Sequence, residues 1–524
     1  MENNHQTSSR QVEGRLSALM NNASAIKAIT GAVEGTIGPK GLDTMLVDRS
    51  GDVVVTNAGV TILDLMEVTH PAARMLISIA RAQHGEIGDG TTTATIMAGA
   101  LVTEGLARII RGVPPARVIQ GIQLGINEAM DYIRSSTRPL NFPGDPLLYR
   151  VALIAGRGDE EIAANISRAA KLLGSERLMD PTFRLKDVVM AGHGGRSSVL
   201  EGVVIKKRPL NETMPGEIQD ARILCVDDSL EVEKPQDGVL RTEAGFELYM
   251  NQQKDFESHL HRLVDSGVRV ILVNRGVSDM AEQILTDGGC LVISRLSSRQ
   301  IRRVARHVGA VPVKCSALSR SSQDLEKYIG TARKVERDEN QKDFHFIGGG
   351  GEPTATYLVG APTQEVSDEK ERIAHDAASA LQAAVRGGVV AGGGAVEIAA
   401  SRSLSRMRAS IRGMESFGID CVIEALHTPL ARIVQNAGFN PLEKVEEAIA
   451  AQNQEDNENL AVDCDLGIIT DMMGLQVVDP TMVKLHALRA AGEVARAILR
   501  INTIIKMRDP ISLNTPGMTS LEQL

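Results

Sequence analysis

At 524 residues the chain has room for roughly two to four domains, each able to bury a core. A net charge of −9 argues against a protein whose main business is binding nucleic acid, and 43% apolar with 23% charged residues is ordinary for a globular chain. With 8 Phe, 5 Tyr and no Trp, its cores must be built from aliphatic side chains and the 19 Met. The cysteines, Cys225, Cys290, Cys315, Cys421 and Cys464, fall in no CxxC or zinc-like spacing and read as reduced, mostly buried thiols. The first ten residues lack the apolar core of a signal peptide, and no uncharged apolar run approaches the ~20 residues of a membrane span. The expected location is the cytoplasm.

Residues 1–12 are polar and are expected to be disordered. Leu16, Leu19, Met20, Ala23, Ile26, Thr30 and Val33 then form one apolar helical face. That helix stops at Gly35-Thr-Ile-Gly-Pro-Lys-Gly41, where Pro39 cannot continue it and the glycines free the backbone. The turn is a candidate phosphate cradle with Lys40 as an available charge, or a plain helix stop. It is not a P-loop, because Gly rather than Ser or Thr follows Lys40. Residues 44–47 and 53–56 read as a hairpin around Arg49-Ser-Gly-Asp52. Asn57-Ala-Gly59 turns into a short helix, and Pro71 opens another that runs to about Gln83.

The next stretch, from Gly85 to Leu101, is the most informative. A glycine-rich turn carrying Asp89 runs into Thr91, Thr92 and Thr93 and then into an apolar helix reaching almost to Arg111. Glycines let backbone N–H groups approach a ligand, and the helix start leaves several unpaired at its positive end, which suits a phosphate. Asp89 can hold a hard cation such as Mg²⁺ beside that phosphate, and the threonine hydroxyls can donate to it. The competing reading is a capped, buried helix after an ordinary loop.

Residues 135–145 are polar and proline-bearing, a plausible boundary, and a helix from 160 to 173 follows the turn Ala155-Gly-Arg-Gly-Asp159. Gly192-His-Gly-Gly195 reads as a corner before a strand at 202–206 and lacks the context of a dinucleotide site. Segments 223–226, 268–273 and 290–293 read as short buried strands alternating with helices, as in a compact α/β domain. Between the first two lie Phe246, Tyr249, Met250, Gln253, Phe256, Leu260 and Leu263 at helical spacing. On sequence alone this stripe faces the local core; the sharper reading is an exposed surface for partners or unfolded chains. A long helix over 365–385 leads to a third glycine turn, Gly387-Gly-Val-Val-Ala-Gly-Gly-Gly394. Asp376 sits on it among alanines, either projecting into a cleft to position water or pairing with Arg372 at i,i+4. Helices dominate from Ala395, and residues 507–524 are polar and expected to be loose.

Five of these motifs, in this order, resemble the signatures of the chaperonins. They are Thr36-Ile-Gly-Pro-Lys-Gly41, Thr56-Asn-Ala-Gly-Val-Thr-Ile-Leu63, Gly88-Asp-Gly-Thr-Thr-Thr-Ala94, Val390-Ala-Gly-Gly-Gly-Ala-Val-Glu397 and Val478-Asp-Pro480. Asp227-Asp-Ser-Leu-Glu231 followed by the apolar insert is similar to the built-in-lid branch, the thermosome and cytosolic eukaryotic type. The resemblance implies a multi-domain α+β fold made by a chain that goes out and comes back. A mostly helical equatorial domain would comprise 1–146 and 395–524, and a small α/β intermediate domain 147–201 and 356–394. An α/β apical domain would span 202–355, with a helical protrusion near 232–262 as the lid.

Carried over residue by residue, the resemblance implies that Thr36, Ile37, Gly38, Pro39 and Gly59 line the nucleotide. Asp89 would bind Mg²⁺, and Gly90, Thr91, Thr92 and Thr93 would hold the phosphates of ATP. Gly393 would touch the nucleoside, and Asp479 would accept from the ribose hydroxyls. Asp376 would position the attacking water, and Arg157 would take the place of a lysine that meets the γ-phosphate. The implied function is an ATP-hydrolysing chaperone whose double ring, built by self-assembly, encloses unfolded or partly folded clients. Ala58 departs from the family, whose usual Asp at that position helps activate water, and Arg157 keeps the lysine's charge without its point-like geometry. Ala58 keeps alive an alternative, a nucleotide-binding but hydrolysis-poor paralogue acting as a structural or regulatory ring subunit or as a holdase. No nucleic acid or membrane partner is expected.

Overall fold

The computed structural model describes residues 3–192, 196–232, 242–338 and 343–501. Helices from the two ends of the chain share one core. Pro71–Glu86, Thr91–Ile110 and Pro115–Ser135 pack with Ala395–Ser410, Ser416–Asn436 and Thr481–Leu499. Ile26, Leu76, Leu101, Ile122, Leu426 and Leu488 meet there, all buried. The starts follow local chemistry: prolines occupy the first turns at Pro71, Pro115 and Pro146, where the missing N–H goes unneeded. Two of these helices cross at paired glycines. A Cβ on Gly121 would lie 1.9 Å from the Glu415 carbonyl oxygen, and one on Gly418 would lie 2.2 Å from that of Val118.

The helix Thr91–Ile110 is long and apolar enough to cross a membrane by composition. Here it lies inside the helical body, with Ile96, Met97, Ala98 and Leu101 buried.

A second core joins Pro146–Ala155 and Glu160–Met179 to the long helix Gln364–Gly387 through Ile162, Ile166, Ala374, Ala377 and Leu381. Two side chains of the long helix cap the end of Glu160–Met179. Gln382 donates to the carbonyls of Leu178 and Phe183 at 3.0 Å, and Arg386 donates to those of Leu178, Asp180 and Phe183.

The middle of the chain forms an eight-stranded mixed sheet. In spatial order its strands are Val189–Ala191, Ala355–Val359, Ser198–Ile205, Asp343–Gly349, Gly330–Asp338, Glu217–Val226, Val270–Val273 and Leu291–Ile293. The last three run parallel, in the register Ile223–Val270–Leu291, and are buried along their shared length as crossover-linked strands must be. Strand Ser198–Ile205 serves two cores, with Val199 in that of the long helix and Val203 and Ile205 in that of the sheet. The expected boundary at 201–202 falls within this strand.

Several elements differ from expectation. The first helix begins at Asn3, so the segment expected to be disordered is helical; it contains no proline to stop it. The helix expected over 160–173 continues to Met179, with its break at Gly174, whose φ is 78°. The apolar stripe of helix Glu243–Asp265 is divided: Phe256, Leu260 and Leu263 are buried in the core, whereas Phe246 and Met250 are exposed, as is Leu248 beside them. The remainder of the expected protrusion, 233–241, the corner at 193–195 and the tail at 507–524 lie outside the described residues.

The glycine crossing sets a prediction. Gly121→Val is expected to destabilise the subunit by about 1–3 kcal/mol, because the added atoms meet backbone that cannot move aside. At exposed Gly31, inside the first helix with nothing within 4 Å of an added Cβ, alanine should stabilise by about 0.5–1 kcal/mol. Urea-unfolding midpoints of the two variants should therefore move in opposite directions.

Candidate functional site

The turn before Thr91 is fixed from two sides. Gln83, buried on the preceding helix, donates through Nε2 to the Asp89 carbonyl at 2.7 Å, while its Oε1 meets His486 Nδ1. Gly90 adopts a left-handed φ of 77°, and its N–H donates to Asp89 Oδ1 at 2.6 Å. Side chains are excluded at both glycines: a Cβ on Gly88 would lie 2.2 Å from Ser379 Oγ, and one on Gly90 would lie 2.5 Å from Val483 Cγ1. Asp89 therefore sits where the Gln364–Gly387 and Thr481–Leu499 helices both close on the turn.

Thr36 and Gly59 lie against the same threonines, and the other glycine turns are fixed by contacts of their own. Thr36 Oγ1 lies 3.5 Å from Thr92 Oγ1, and a Cβ on Gly59 would fall 2.5 Å from Thr92 Oγ1 and 3.3 Å from Thr91 Oγ1. The turn holding Ile37, Gly38 and Pro39 is anchored by Asn436, which donates to the carbonyls of Glu34 and Ile37 at 2.9 Å. Gly393 has a φ of 62°, with Met472 Sδ 3.3 Å from where a Cβ would stand. Strand Val389–Ala391 pairs with Val478–Pro480, setting Val390 opposite Asp479 beside that glycine turn.

Lys40 does not join the cradle. It is half-exposed and pairs with Asp465 at 2.6 Å. Arg157 occupies a left-handed turn, φ 57°, and its guanidinium meets Glu369 on the long helix at 2.8 Å. Arg372 also pairs with Glu369, at 2.8 Å, and not with Asp376. The surface-pair alternative for Asp376 is thus overturned: among the described residues it makes no hydrogen bond or ion pair, because Glu369, one turn before Arg372, takes the arginine. Ala58 precedes the helix Gly59–Leu65 with no side-chain cap. Of two acids near enough in sequence to replace the missing carboxylate, Asp64 is paired with Arg81 at 2.6 Å and Asp52 lies in the exposed hairpin turn.

The electrostatics of the cleft are unusual. Burial pushes the Asp89 carboxyl up to about 6; the Gly90 N–H and the charge of Lys484 pull it down, and the charge of Asp479 adds to the rise. Asp376 is raised well above the ordinary carboxylate range, first by burial and then by repulsion from Asp89, which Arg157 and Lys186 only partly offset. Lys484 ties the third carboxylate down: its Nζ lies 2.7 Å from Asp479 Oδ2 and 2.7 Å from Glu397 Oε1. Burial alone would lower the Lys484 ammonium, but these two carboxylates outweigh it and raise it above an ordinary lysine.

No group of three potential side-chain metal ligands occurs among the described residues. One carboxylate at a turn that offers free N–H groups suits Mg²⁺, which is held by one or two carboxylates together with phosphate oxygens. Gln83, Ser379 and Lys484 are contributors that the motifs do not name, and Glu397 closes the fourth motif with no role assigned to it. Gln83 and Lys484 carried a signal, as polar residues on the inward stripes of apolar helices; Ser379 carried none.

Comparison with known proteins gives the family. The sequence profile of the TCP-1/cpn60 chaperonin family matches residues 29–509. Thermosome subunit beta of Aeropyrum pernix is 32% identical over 506 residues, 93% of this chain and 91% of that one. The thermosome subunit of Pyrococcus abyssi is 32% identical over 503 residues, 92% of this chain and 90% of its own length. The crystal structure of a group III chaperonin in the open state superposes with a TM-score of 0.85 at 44% identity, covering 94% of this chain and all of that one. Matched over nearly its whole length in sequence and fold, the chain belongs to the TCP-1/cpn60 chaperonin family.

Proposed function

We propose that the chain is the subunit of an ATP-driven protein-folding chaperone, assembled as a double ring whose cavity encloses unfolded or partly folded proteins. The family match supports this reading, and the observation that carries it is the convergence of Asp89 and Asp376 beside the glycine turns. The hydrolysis-poor alternative gains no support from that match. The equatorial domain is 1–146 with 395–524, a division supported by the core those segments share. The intermediate domain is 147–201 with 356–394, and the apical domain is 202–355. Exposed Phe246, Leu248 and Met250 support a lid that meets clients or neighbouring subunits.

Thr36, Ile37, Gly38, Pro39 and Gly59 line the nucleotide, and Gly90, Thr91, Thr92 and Thr93 present donors to its phosphates. Gly393 borders the nucleoside, and Asp479 accepts from the ribose. Arg157 reaches the phosphates by exchanging Glu369 for them. Bound at Asp89, Mg²⁺ supplies neutralisation of the phosphate charge. Asp376 orients the attacking water and takes its proton. Its basicity suits that work: the raised carboxyl holds a proton well, and neutralising Asp89 removes one cause of the elevation.

Two experiments follow. Cation binding needs Asp89 ionised, and its carboxyl sits at about 6. Mg²⁺-dependent ADP affinity is thus complete above about pH 7 and falls roughly tenfold per unit below about 6. Asp89→Asn should remove both the Mg²⁺ dependence and this step, and a step surviving in the variant would take Asp89 out of the metal role. Ala58→Asp restores a second carboxylate, and steady-state ATP turnover by the rings should rise about tenfold or more. Unchanged turnover would mean that Asp376 alone suffices.

A further inference from the structure

Lys484 is an improbable place for a cation. It is the fourth residue of helix Thr481–Leu499, at the positive end of the helix dipole, and its side chain is 10% exposed. Burial and the dipole both oppose the charge, so the two carboxylates 2.7 Å away must hold it there. One would suffice for a structural pair. Glu397, at 2% exposure, is that partner: it arises in the first turn of helix Ala395–Ser410, and its Oε2 has no hydrogen bond among the described residues. Asp479 is the surplus acid, and about a quarter of its side chain stays exposed.

Its two oxygens have different surroundings. Oδ2 is walled in, 2.7 Å from the ammonium and 3.2 Å from where a Cβ on Gly392 would stand. Asp479 makes no other ion pair or hydrogen bond among the described residues, so Oδ1 is left for a ligand. A carboxylate fixed through one oxygen offers the other as an ionised acceptor in one orientation, which favours a hydroxyl pair over a group lacking one.

We infer that Lys484, backed by Glu397, is a positioning residue that fixes Asp479 through Oδ2 so that Oδ1 reads the sugar hydroxyls of the nucleotide. This rests on the proposed role of Asp479 at the ribose. The clamp joins the two helices that follow the paired strands Val389–Ala391 and Val478–Pro480, so it holds the sugar end of the site as Gln83 holds the metal end.

The test measures binding of ADP, 2′-deoxy-ADP and 3′-deoxy-ADP to assembled rings of the parent, Lys484→Met, Asp479→Asn and the double variant. The parent should prefer ADP over at least one deoxy form by about tenfold, the worth of a hydrogen bond to a charged acceptor. Lys484→Met should lose most of that preference, and adding it to Asp479→Asn should change little further. If Asp479→Asn loses the preference while Lys484→Met keeps it, or if Lys484→Met weakens all three nucleotides equally, Lys484 does not position the acid. If the parent shows no preference and Asp479→Asn changes nothing, the role of Asp479 itself fails and the inference with it. Should Lys484→Met not assemble, Lys484→Gln, uncharged and shorter, is expected to lose the preference likewise, and a kept preference in it would overturn the inference.

Discussion

The site depends on placing two carboxylates, Asp89 and Asp376, in one poorly solvated cleft. Burial raises both; the charge of Asp89 raises Asp376 further, and that of Asp479 raises Asp89. Such a pair is unfavourable while empty and becomes favourable when a cation arrives. On the proposed roles, a cation held at Asp89 would ease the ionisation of Asp376, so that binding and activation of the base would be two readings of the same electrostatic change.

The fold meets this constraint with residues far apart in the chain. Asp89 comes from the first helical segment, Asp376 from the helix that returns from the sheet, and Asp479 and Lys484 from the closing segment. Close approach requires missing side chains, which is why Ser379 can rest against Gly88 and Val483 against Gly90. The Arg157–Glu369 pair holds the turn between Pro146–Ala155 and Glu160–Met179 to the same helix that carries Asp376. A ligand that draws Arg157 away would thus act on the helix that carries Asp376.

Much of this was legible in the sequence because glycine, proline and alternation leave local marks. The 44–47 and 53–56 hairpin lies where the pattern puts it, pairing Thr44 with Thr56. The glycine turns and their acids are readable for the same reason: few residue types tolerate those backbone angles. Partners set by tertiary contact were not legible. Helical spacing alone offered Arg372 to Asp376, and only the fold reveals that Glu369 takes it. Nothing in the pattern of Phe246 to Leu263 tells that the stripe is buried at one end and exposed at the other, because that depends on which neighbouring elements cover it. The lysine clamp was hidden likewise, because Glu397 stands on a different segment from Asp479 and Lys484.

The most direct measurement is single-turnover ATP hydrolysis by assembled rings of the parent and Asp376→Asn, with ADP affinity measured on the same preparations. If Asp376 is the base, hydrolysis falls by about a hundredfold or more while ADP affinity stays within about threefold. Hydrolysis at the parental rate in Asp376→Asn would contradict the pairing of the two carboxylates as the working centre of the protein.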